Sequence, residues 1–86
     1  MSKLQDCADV IIGRIKYNSC EDCIKIECEL SRLFEVMLIF LDYEDMIDIL
    51  KNRVIPNLSK TKEKVYHDFF KNQINYWNEC LEFNED

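Results

Sequence analysis

The sequence predicts an all-α fold, a small bundle of three to four helices forming one domain over residues 1–86. Three observations carry that expectation. One glycine (Gly13) and one proline (Pro56) leave little turn chemistry for hairpins, whereas helices joined by short polar connections need little of it. Apolar side chains recur at the i, i+3, i+4, i+7 spacing that lines one face of a helix. Residues suited to opening helices (Ser19, Asp42, Ser59) stand just before those periodic runs.

The first helix is expected over about residues 3–17, where Leu4, Cys7, Ala8, Ile11, Ile12 and Ile15 share a face. Asn18 and Ser19 break it. Ser19 with Asp22 three residues on resembles a capping box, although Glu or Gln is the usual partner. The second helix, about residues 20–41, turns Cys23, Ile26, Leu30, Leu33, Phe34, Met37, Leu38 and Leu41 inward. Between Leu33 and Leu41 only Glu35 is polar. A helix apolar nearly all round is either central in its bundle or covered by another molecule. A buried strand over residues 36–40 is the rival reading, because periodicity does not separate the two in a short run. It lacks a second run to pair with, and a stable sheet needs three or more strands.

Asp42 and Asp45 signal a third helix, about residues 43–54, with Met46, Ile47, Ile49, Leu50 and Val54 as its apolar positions and Pro56 as its stop. The second and third helices fused into one bent helix is an alternative. Asn57 or Ser59 opens the last helix, about residues 59–82. There Val65, Tyr66, Phe69, Phe70, Gln73, Tyr76, Trp77, Cys80 and Leu81 form a broad aromatic stripe that should anchor the core.

Composition narrows the class. With 48% apolar and 33% charged residues the chain is too apolar to be disordered and too charged to be embedded in a membrane. Its longest apolar run, from Val36 to Leu41, is far short of the roughly 18 residues that cross a bilayer. The first residues carry no apolar stretch of the kind a secretory signal needs, so the expected site of action is the cytoplasm, of the host cell if the gene is viral. Five cysteines would leave one over in a closed disulfide framework, and in a reducing compartment all are thiols. Ile, Lys, Asn, Tyr and Phe make up 34 of 86 residues. AT-rich codons favour these residues, and AT-rich genomes include those of many low-GC bacteria, their phages and several large DNA viruses.

Charge is segregated. From Glu21 to Asp48 nine acids (Glu21, Asp22, Glu27, Glu29, Glu35, Asp42, Glu44, Asp45, Asp48) face only Lys25 and Arg32. From Lys51 to Lys71 six bases face Glu63 and Asp68. The last helix thus sets Lys60, Lys62 and Lys64 at its positive end and Glu79 and Glu82 at its negative end, each mismatch costing about 0.3–1 kcal/mol at low salt. Pairing of the basic stretch with the middle acids inside the bundle would relieve it, and so would a charged partner. Four lysines without arginine and aromatic interleaving, in a chain of net charge −6, argue against nucleic acid as a partner.

Catalytic and metal motifs are weak. Cys20-x-x-Cys23 with Cys28 is the one spacing that hints at zinc or redox chemistry. On a continuous helix Cys20 and Cys28 lie about 12 Å apart along the axis, too far to share an ion held by bonds of about 2.3 Å. Cys20 and Cys23 are therefore weak metal candidates, no cofactor is expected, and the cysteines read best as small buried apolar side chains. His67 follows Glu63 by four residues, a spacing that a surface helix pair explains.

The expectation is a non-enzymatic regulator or inhibitor that occludes or modulates a protein partner, possessing a basic or nucleic-acid-binding surface, as small phage or viral counter-defence factors do. Its candidate contact residues are Glu35, Ile39, Phe40, Asp42, Tyr43, Glu44, Asp45 and Asp48, an acidic and apolar surface. The alternatives are a homo-oligomeric structural protein assembling through residues 33–41 and a small zinc- or thiol-dependent protein.

Overall fold

A computed structural model describes residues 2–17 and 23–83, and its regular structure is helical throughout. Among the described residues four α-helices follow one another: α1 (Lys3–Lys16), α2 (Cys23–Met37), α3 (Tyr43–Asp48) and α4 (Lys60–Phe83). Between α3 and α4 the chain continues helically, first as π-helical turns over Ile49–Val54 and then as a 3₁₀ turn over Ile55–Asn57. The all-α bundle expected from the sequence is what forms.

α1 buries Cys7, Ala8, Ile11 and Ile15, the face its periodicity marks, and carries Asp6 in its first turn and Arg14 and Lys16 in its last, in accord with the helix dipole. Ser19 and Asp22, the proposed capping pair before α2, and Cys20 lie outside the described residues.

α2 ends at Met37, four residues before the expected boundary. Beyond it the backbone tightens: the amides of Ile39 and Phe40 donate to the carbonyls three residues back, Val36 and Met37, at 3.1 Å each. Asp42 then takes an extended conformation, and its carboxylate accepts from the Asp45 amide at 2.9 Å to cap α3. Residues 36–40 are thus neither a strand nor the middle of a bent helix. They are the last turn of α2 and the corner after it. The Leu41 amide still donates to the Met37 carbonyl four residues back at 2.8 Å, and both side chains stay in the core while Ile39 between them points out.

The π-helical turns correct the register of the third helix. In a uniform α-helix a residue at position 53 would share the inward face of Met46, Ile49 and Leu50. The wider turn rotates Arg53 out and Val54 in, so that Ile49, Leu50 and Val54 are all fully buried. Arg53 then reaches Asp48, five residues back, with Nε donating to Oδ2 at 3.0 Å, while its Nη1 donates to Gln5 Oε1 of α1 at 3.0 Å. Asn57 closes the segment by donating to the Arg53 carbonyl at 2.7 Å.

Ser59, rather than Asn57, opens α4: its hydroxyl accepts from the Lys62 amide at 3.3 Å. At 24 residues α4 is about 36 Å long. Tyr66, Phe70 and Trp77 are its buried anchors, and Trp77 meets the Phe34 ring of α2 edge-on at 5.3 Å. The stripe is narrower than its sequence suggests, since Val65 and Tyr76 are exposed and Phe69, Gln73, Cys80 and Leu81 half-buried.

Candidate functional site

The corner after α2, the start of α3 and the C-terminal end of α4 meet at one end of the bundle. Leu38, Leu41, Asp42, Tyr43 and Glu44 line a hollow of about 370 Å³ together with Leu81 of α4. Around it stand exposed apolar side chains: Ile39 in the corner is 83% exposed and Phe83 at the end of α4 is 86% exposed. Asp42 and Glu44 of the hollow's lining are exposed carboxylates, Glu35 is exposed on the last turns of α2, and Glu82 is exposed next to Leu81 on α4.

Each expected contact residue has a definite place. Glu35 lies exposed on the last turns of α2 and Glu44 exposed in the first turn of α3. Phe40 is half exposed, with the Lys3 ammonium of α1 4.9 Å from its ring centroid. Asp42 and Asp45 join in the α3 cap, the first through its carboxylate and the second through its amide, so Asp42 is structural as well as exposed. Tyr43 is half-buried. Asp48 is engaged elsewhere: it accepts from Asn52 Nδ2 at 2.7 Å and from Arg53, on the side of the helix that faces α1. Those hydrogen bonds, that from Asn52 foremost, hold its carboxyl below the usual carboxylate range. The lining of the hollow therefore includes Asp42, Tyr43 and Glu44, with Ile39 in the adjoining corner, whereas Asp48 is engaged on the α1 side.

Sequence reasoning missed what α4 contributes. Tyr76 and Cys80 are one helical turn apart, and hydrogen bonding with the Cys80 side chain, followed by its charge when ionised, pushes the phenols of both Tyr43 and Tyr76 up. α3 packs on α4 beside the hollow. The exposed end acids of α4, which oppose its dipole, supply the signal that could have pointed here.

The thiols are differently placed. Cys7 is buried, and desolvation, followed by the nearby Asp6 charge, raises its pKa. Cys28 is exposed, contrary to the buried role expected of it, because it falls on the outer face of α2 opposite Leu30 and Phe34. Cys23 begins α2, with its side chain, like the whole of Cys20, outside the described residues. Among the described residues no three His, Cys, Asp or Glu side chains are grouped to hold a metal ion, and no helix is long and apolar enough to cross a membrane.

Comparison with known proteins yields no match to a family model, a curated protein or a solved structure.

Proposed function

We propose that this chain is a non-enzymatic binding protein that occludes or modulates a partner protein with a basic surface, using the bundle end around the 38–44 corner. The observation that carries the reading is Ile39. It projects from a corner whose contribution to the core comes from its neighbours Met37 and Leu41, so folding does not require an apolar residue there. Beside it lie an apolar-floored hollow and the carboxylates of Glu35, Asp42 and Glu44. An apolar centre with a charged rim is the anatomy of a protein interface, in which the centre supplies affinity and the rim steers encounter.

Electrostatics favour a cationic partner. Glu79 and Glu82 stand at the negative end of the α4 dipole, where they repel it, and a basic surface would relieve that repulsion. The test is affinity capture from the cell in which the gene is expressed, with the parent, Ile39→Ser and Glu44→Lys as baits. A basic protein held by the parent, released by salt and lost with both variants supports the reading. The same proteins held by all three baits would overturn it. Asp42 is avoided as a probe because its replacement also removes the α3 cap.

A further inference from the structure

The π-helical turns after α3 pack on α1 far more than on α4, and the opening left against α4 is a groove of about 360 Å³. Its floor is apolar: Phe70 is only 1% exposed, and Ile55 and Ile74 are half-buried. Its rim is polar. Lys51 stands four residues before Ile55 on one wall. On the other, Glu63, His67, Lys71, Asn75 and Asn78 follow one another at steps of three or four residues along a single face of α4. None of these residues lines the hollow beside Ile39.

Charge along the groove is uneven. Two lysines stand against one glutamate, in a chain whose net charge is −6. Among the described residues neither Lys51 nor Lys71 forms an ion pair, whereas His67 is engaged, its Nδ1 lying 3.2 Å from Asp68 Oδ1. The two ammonium groups are thus the cations left to meet a ligand. Each is a compact charge on a flexible apolar stem, and an apolar floor beside it lowers the local dielectric and strengthens its pull on an anion. Asn75 and Asn78, further along α4, carry no charge and offer amide donors and acceptors. An apolar floor with a few polar groups at its edge is the composition of small-molecule sites, and the volume falls within their range of about 300–1,000 Å³. Glu63 and Asp68 interrupt the positive charge, so the groove suits one anionic group and not a run of phosphates.

We propose that this groove binds a small amphipathic anion, its apolar body seated on Ile55, Phe70 and Ile74 and its anionic head held by Lys51 and Lys71. The recognising chemistry is an oxyanion on an aromatic or branched aliphatic body, which a carboxylate and a phosphate monoester share. The site neither uses nor requires the Ile39 corner.

The test is a titration of isotope-labelled protein with naphthoate, naphthyl phosphate and uncharged naphthalenemethanol, followed through amide chemical shifts. Shifts should centre on Lys51, Ile55, Phe70, Lys71 and Ile74, and the anions should bind about tenfold more tightly than the alcohol. The tighter of the two anions identifies the head group. Lys51→Glu and Lys71→Glu should each weaken anion binding about tenfold and leave binding of the alcohol unchanged. Both lysines are exposed, so the fold should survive their exchange, which circular dichroism checks. An alcohol bound as tightly as the anions overturns the proposal. So do shifts centred on another face, undiminished anion binding by both lysine variants, or no saturable shift with millimolar probe.

Discussion

Replacing Trp77 by alanine removes the largest side chain in the core. Trp77 is 1% exposed, and its ring contacts Phe34 at 5.3 Å with the planes 76° apart, the edge-to-face geometry that aromatic rings favour. Such truncations cost about 3–5 kcal/mol through lost burial and the cavity left behind. A domain of this length has about 4–13 kcal/mol of stability in total. Each kcal/mol moves the melting temperature of so small a domain by about 4–8 °C, so Trp77→Ala should melt at least about 12 °C below the parent. Tyr76, the adjacent residue, is 54% exposed, and Tyr76→Ala should cost far less. Thermal unfolding followed by circular dichroism reads both. A Trp77→Ala protein melting within a few degrees of the parent, or a Tyr76→Ala protein losing as much, would refute this placement of the core.

Asp42→Ala should lose about 1 kcal/mol with the α3 cap, and Asp42→Asn, which keeps an acceptor oxygen, much less; chemical denaturation separates the two. Because the Asp48 carboxyl is held below its unfolded pKa of about 3.9, its contribution is present above that pH and fades as pH falls through the lowered folded value. The parent should therefore lose a small increment of stability in that window that Asp48→Asn does not lose, and it should stay below about 1 kcal/mol because the pair is open to solvent. A steeper acid loss in Asp48→Asn than in the parent would contradict the assignment. Thiol labelling mapped by mass spectrometry should find Cys28 modified well before Cys7, whose burial also keeps it protonated; equal rates would mean that α1 does not pack as described.

What the sequence made legible is what repeats at short range. The inward faces of α1 and α2 follow from spacing alone, and the caps at Asp42 and Ser59 from residue type and position. The π-helical turns were hidden because their cause is not periodic. Arg53 finds partners at Asp48, five residues away, and at Gln5, on another helix, and neither pairing belongs to a 3.6-residue repeat. The end of α2 was placed late for a related reason: an uninterrupted apolar run carries no stop signal, and Met37 and Leu41, four residues apart, share a face whether or not the helix continues. Of the candidate site, Ile39 and Glu44 could be read from a local mixture of apolar and acidic residues. Leu81, Tyr76 and Cys80 could not, since they are more than thirty residues further along the chain and join the site only through packing of α3 on α4.

The central claim is that Ile39 and Glu44 serve binding and not folding. It is tested most directly by measuring the melting temperature and partner capture of the combined Ile39→Ser, Glu44→Lys protein side by side with the parent. An unchanged melting temperature together with loss of the captured basic protein is the predicted result. A large fall in melting temperature, or full retention of the same partner, would contradict it.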